Sequence, residues 1–260
     1  LGSAPRMDNY SVSTEQGGGV IYNEGGHLAV YGGKYQYVPV SGRNVTSGGV
    51  LYNSGTLEFH GGIFDGSRYT FTDASTTEKT YTYNGGAIHA GSGSARSMIF
   101  TAGAVLGGEA NQGGALYVGT NATVTVTGGQ FMGGRAVTKG DTLGCGGNIR
   151  IEGTSSNKNG KANLSGIAIT GGYSESNAGN FSATYYSQIN LSDSYVADGN
   201  SKDYGGNIAV GTNSTFANYE NLIINKGTAA RGANIYSAGT GQRANLIGCY
   251  VVDGAASNYG

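Results

Sequence analysis

Gly205-Gly206-Asn207-Ile208-Ala209-Val210 carries the phrase whose recurrence decides the fold. Upstream stand Gly18-Gly19-Val20-Ile21, Gly48-Gly49-Val50-Leu51, Gly85-Gly86-Ala87-Ile88, Gly113-Gly114-Ala115-Leu116, Gly146-Gly147-Asn148-Ile149 and Ala178-Gly179-Asn180-Phe181, and downstream stands Gly232-Ala233-Asn234-Ile235. Counted from the third residue of each phrase, the steps are 30, 37, 28, 33, 32, 27 and 27. Self-similarity at such a period marks a solenoid, in which each coil packs only on its neighbours.

A second register moves with the first. Tyr31-Gly32-Gly33, His60-Gly61-Gly62, Thr101-Ala102-Gly103 and Thr127-Gly128-Gly129 fall at matching offsets. Around each phrase the apolar residues alternate with period two: Leu116 and Val118 flank Tyr117, Ile149 and Ile151 flank Arg150, and Ile208 and Val210 flank Ala209. That is strand periodicity, and Thr123 to Thr127 (TVTVT) is a β-branched example of it. Gly-Gly pairs between the runs supply positive φ for the bends. No segment has the pattern of a three-turn helix. The fold expected is therefore all-β, a right-handed parallel β-helix of about eight coils with three short strands each. Stacked at about 4.8 Å per coil, it would form a rod of roughly 40 Å.

From about residue 17 to the end, these repeats resemble the pectin-lyase-like β-helix superfamily. The resemblance is closest to bacterial surface proteins and autotransporter-like adhesins built from GGA[ILV] repeats. It implies a secreted or cell-surface, extracellular location. Residues 1–16 are expected to form an N-terminal arm, of which Leu1 to Met7 read as a vector remnant, and 17–260 a single β-helix domain. The closing run from Val251 to Gly260 repeats the lead-in from Val196 to Gly205 and stops before the next Gly-Asn-Ile. The expectation is a longer solenoid with a ninth coil, whose open edge lets fragments associate end to end.

Two asparagine columns share the coil period: Asn148, Asn180, Asn207 and Asn234, and then Asn163, Asn190, Asn218 and Asn245. Identical amides one coil apart can donate to one another, so both columns are expected to be inward ladders. In the first four coils the first column holds Val20, Val50, Ala87 and Ala115 instead, which marks that corner as inward. Asn163, Asn180 and Asn190 begin N-x-S/T triplets, read as accidental because ladder positions exclude a glycan; this favours a bacterial origin.

Fifty glycines in 260 residues without a strict triplet exclude collagen, and 38% hydrophobic content suits a narrow core. The 15 basic and 16 acidic residues nearly cancel without a basic run, so neither nucleic acid nor an anionic membrane is expected as partner. No stretch approaches the ~20 apolar residues of a membrane span. Cys145 and Cys249 lie about three coils apart, beyond the reach of a disulfide, and are expected to be free, Cys249 as a small core residue.

Chemistry-bearing residues are sparse. Asp193 and Glu220, close in register, are the one weak acid/base couple. Asp198, Lys226 and Asp253 form a column of alternating sign that reads as a surface ion-pair ladder. His27, His60 and His89 have no ligand-like spacing, so no metal or cofactor is indicated. Thr123, Thr125 and Thr127 are not repeated in neighbouring coils, which leaves no ranked threonine array for ice. Tyr22, Tyr52, His89 and Tyr117 form an outward aromatic column, either a stiffening stack or a strip for sugar rings or a partner protein. The leading reading is a non-enzymatic, adhesin-like stalk or display scaffold that binds a host or bacterial glycan or surface protein. The alternative is a polysaccharide lyase or glycoside hydrolase.

Overall fold

The computed structural model describes residues 18–38, 45, 47–67, 84–91, 96–156, 159–211 and 215–259. The expected arm at 1–16 and most of the insert from Ser67 to Tyr83 lie outside the described residues. The described chain is all-β, a right-handed parallel β-helix of about 7 turns. A representative coil runs Ile208–Val210, Phe216–Glu220, Ile223–Asn225 and Thr228–Arg231. These strands belong to four faces, numbered here in that order. Faces one, two and three are parallel sheets of eight strands, giving eight rungs each, and face four has six.

Three strands per coil were expected, and the fourth is the addition. It is often only two residues long, as at Glu109–Ala110 and Tyr173–Ser174, too short for an alternation to be legible. Partners follow the repeat: Leu116 pairs with Ile149, Ile149 with Phe181, and Phe181 with Ile208.

The core is a narrow column of inward side chains. Face one contributes Leu51, Ile88, Leu116, Ile149, Phe181 and Ile208, and face three contributes Phe64, Val105, Phe131, Ile169, Val196 and Ile224, all fully buried. In the early rungs aromatic rings fill the interior, with Phe59 stacked on Phe100 at 4.5 Å and Phe100 against Phe131 at 5.5 Å. Such offset stacks add to the burial of large apolar side chains.

From the fifth rung an amide ladder takes over the corner before face one. Asn148 Nδ2 donates to Asn180 Oδ1, Asn180 to Asn207 and Asn207 to Asn234, each at 2.7 Å. Nδ2 of Asn207 also donates to the Asn225 carbonyl, and its Oδ1 accepts from the Gly199 N–H at 3.0 Å. The corner favours glycine: Gly205 has φ 64°, and a Cβ there would lie 2.2 Å from the Ile208 carbonyl oxygen, although Ala178 takes the same left-handed position in the sixth rung at φ 59°. In the earlier rungs Val50, Ala87 and Ala115 occupy this corner fully buried, as the sequence suggests.

The second asparagine column corrects the expectation. Asn163, Asn190, Asn218 and Asn245 are in register and do form a ladder, with contacts of 2.9, 2.9 and 2.7 Å. It runs along the outer surface of face two, with Asn163, Asn190 and Asn218 exposed, so burial gives no ground for excluding a glycan there. Asn163 sits between inward Ala162 and Leu164, and strand alternation turns it outward.

Candidate binding site

The outer surface of face one holds the aromatic column foreseen from the sequence. Tyr22, Tyr52, His89, Tyr117 and Arg150 are successive partners in register. Tyr22 stacks on Tyr52 at 5.1 Å and 10°, Tyr52 meets His89 edge-on at 5.1 Å, and His89 meets Tyr117 edge-on at 4.9 Å. Only the first two rings face solvent to any extent, Tyr22 being 38% exposed. His89 and Tyr117 are buried, at 9% and 6% exposure, although their Cβ atoms point away from the core. Accessibility along the outward column is therefore confined to Tyr22 and, partly, Tyr52, and the expected exposure is corrected for His89 and Tyr117.

A polar network causes part of that burial. The Tyr117 hydroxyl donates to Glu152 Oε1, Arg150 Nη2 donates to Glu152 Oε2 at 3.1 Å, and Arg150 Nη1 donates to Ser182 Oγ at 2.7 Å. Burial, and then the neighbouring Glu152 carboxylate, push the Tyr117 phenol well above its ordinary range. Burial opposes the charge of Arg150, but Cys145, Glu152 and Tyr117 together hold its proton more tightly than usual. His89 differs: its Nδ1 has no partner, and burial lowers its pKa to about 3.

Beyond Arg150 the column shrinks to Ser182 and Ala209 before Tyr236. Here a groove of ≈ 540 Å³ crosses face one, and Arg150 and Tyr236 are among its lining side chains. Sequence reasoning missed it. The available signal was the loss of bulk at Ser182 and Ala209 in a column otherwise made of large side chains.

The weak acid/base candidates are turn residues and strand-end residues. Asp193 adopts φ 48° at the corner between faces two and three, a position shared by Gly166, Asn221 and Gly248, and short polar or glycine residues tolerate this conformation. Its carboxylate accepts from Asn221 Nδ2 at 3.1 Å, and its backbone N–H donates to the Glu220 carbonyl. Glu220 ends its strand of face two, exposed and in register with Ser192. Asp198, Lys226 and Asp253 likewise share a left-handed corner, with φ of 55°, 52° and 52°. The expected ion-pair ladder is corrected: none of the ion pairs among the described residues involves these three. Left-handed geometry is what the column has in common.

His60 stacks on Tyr31 at 5.0 Å as its register implies, and His27 contacts Glu58 at 3.0 Å. Both cysteines are free, Cys145 buried and Cys249 partly so. Among the described residues no cluster of His, Cys, Asp and Glu could hold a metal ion, and no helix is long and apolar enough to cross a membrane. No protein-family model, curated protein or solved structure matches the chain.

Proposed function

We propose that this chain is a segment of a bacterial cell-surface or secreted adhesin-like protein of the pectin-lyase-like, GGA[ILV]-repeat kind. In this reading the β-helix is a stalk and display scaffold, and the outer surface of face one is presented to a glycan or a partner protein outside the cell. What supports the reading is the aromatic column: a continuous stack that begins with two accessible tyrosines, on a rod whose every rung is fixed by its neighbours. Rigid tyrosine rings supply contact area at low entropic cost, which suits a recognition surface. The near-neutral charge balance directs the choice of partner away from nucleic acid and anionic membranes.

The test has two parts. Antibody labelling of intact cells of the source organism should reach the protein without permeabilisation. The purified chain should be retained by glycans or by surface proteins and release no reducing ends from any glycan it binds. Labelling that needs permeabilised cells would defeat the surface reading. Steady release of reducing ends, lost on Asp193→Asn or Glu220→Gln, would replace the scaffold with the carbohydrate-active alternative.

A further inference from the structure

We propose that the groove across rungs four to eight of face one binds an uncharged oligosaccharide. The proposal rests on the display-scaffold reading above and gives it a site and a ligand class. Three features of the groove carry it: length, charge and lining.

The length follows from the stack. Gln112, Cys145, Asn177 and Tyr204 each precede a corner phrase and are bridged in series, and each lines the groove one rung after the last. Tyr236 closes the far end on the next rung. Five rungs at roughly 4.8 Å give a trough of about 20 Å, suited to a chain of several sugar units. One wall is the segment from Asp141 to Leu143, held by paired backbone hydrogen bonds between Lys139 and Thr142. This segment interrupts the repeat and has no counterpart in the later coils.

Charge excludes an acidic ligand. The lining contains one cation, Arg150, and one anion, Asp141. Arg150 is already compensated by Glu152 and tied to Ser182, so it is not available to clamp a carboxylate. Arg231, whose guanidinium lies 5.7 Å from the centre of the Tyr204 ring, is not part of the lining. A uronate chain would bring repeated negative charge to a site with no uncompensated positive charge.

The lining suits hydroxyl-rich rings. Tyr185 is 46% exposed, and the Tyr204 and Tyr236 rings pack 4.5 Å apart at 30°. Gln112, Thr142, Asn177 and Thr184 give the lining its uncharged polar side chains, although the side-chain oxygens of Gln112, Asn177 and Thr184 are themselves buried, which leaves the amide nitrogens and the Thr142 hydroxyl as the polar groups for a ligand. Aromatic walls with a few polar groups make a site for a ligand that offers apolar ring faces and hydroxyls together.

The test is titration calorimetry of the whole chain against neutral hexasaccharides of several linkages, with oligogalacturonate of equal length as the acidic counterpart. At least one neutral hexasaccharide is expected to bind and the oligogalacturonate to bind at least about tenfold more weakly. Tyr236→Ala should weaken the neutral ligand about tenfold, while Tyr250→Ala, at an exposed position of face three away from the groove and the tyrosine column, leaves it unchanged. Tyr185→Asn removes an exposed ring and keeps a residue that tolerates the local φ of 50°, so it separates lost binding from lost folding. Equal or tighter binding of the acidic oligomer would overturn the proposal. So would loss of binding through Tyr22→Ala with the groove variants unaffected, which would move the ligand to the tyrosine strip and leave the display reading standing. No binding by any hexasaccharide, with retention on surface proteins intact, would likewise remove this proposal alone.

Discussion

Two asparagine columns climb the same solenoid with the same period, one inside the corner before face one and one on the outer surface of face two. Each interior inner amide is saturated: Asn207 donates to Asn234 and the Asn225 carbonyl, and accepts from Asn180 and the Gly199 N–H. Each interior outer amide meets only its ladder neighbours among the described residues, as Asn190 does with Asn163 and Asn218. Their polarities also differ. Inner donors point toward the next rung and outer donors toward the previous one. The inner direction is fixed by the backbone groups that share the amides, whereas only the other ladder members set the outer one. An identical sequence signal therefore holds the stack together in one place and decorates it in the other, because water competes for the outer bonds and not for the inner.

The largest effect that would break this comparison is expected from Asn207→Leu. It orphans the Gly199 N–H and removes one of two partners from the Asn225 carbonyl, from Asn180 Nδ2 and from Asn234 Oδ1, at a cost on the order of 3 kcal/mol. Chemical denaturation would measure it, and a midpoint equal to the parent's would show that the inner ladder contributes nothing.

Buried polar groups without a ladder sharpen the contrast. His89 is buried, titrates at about 3, and faces the titratable rings of Tyr52 and Tyr117 with no partner for Nδ1. The unfolded chain takes up this proton below about pH 6.5, whereas the folded chain resists until about pH 3. Stability from this site is therefore lost as pH falls through that window, by about 3 kcal/mol at pH 4. His89→Phe should flatten that part of the stability–pH curve, and an unchanged slope would show that His89 is hydrated in the fold. Tyr219 poses the same problem with a hydroxyl: the ring is fully buried, the Oη is unpartnered, and burial raises its pKa. Tyr219→Phe should raise stability by about 1 kcal/mol, read as a higher denaturation midpoint.

Much of this was legible in the chain. The Gly-Gly phrase gave the coil, and alternation around Leu116, Ile149 and Ile208 gave the inward face. The exchange of Val50, Ala87 and Ala115 for Asn148 and its successors gave the corner. The side on which the second ladder lies was legible too, since Ala162 and Leu164 flank Asn163, but the shared period of the two columns outweighed the alternation. Other features depend on contacts that no local pattern carries. Burial of Tyr117 needs Glu152 from the next coil, and the groove needs the Asp141 to Leu143 wall, which belongs to no repeat. Asp193 looked chemical because its residue type is reactive, whereas its left-handed φ gives that residue type a conformational role.

The smallest effect belongs to the outer ladder. Asn190→Leu removes two exposed hydrogen bonds and should change stability by no more than about 0.5 kcal/mol. A loss comparable to that of Asn207→Leu would erase the distinction between the columns. The most direct measurement is hydrogen exchange at the side-chain amides themselves, read by NMR on uniformly labelled protein. The Nδ2 protons of Asn180 and Asn207 are expected to exchange only when the stack opens, orders of magnitude more slowly than those of Asn190 and Asn218. Equal exchange at the two columns would contradict the claim that one ladder is structural and the other superficial.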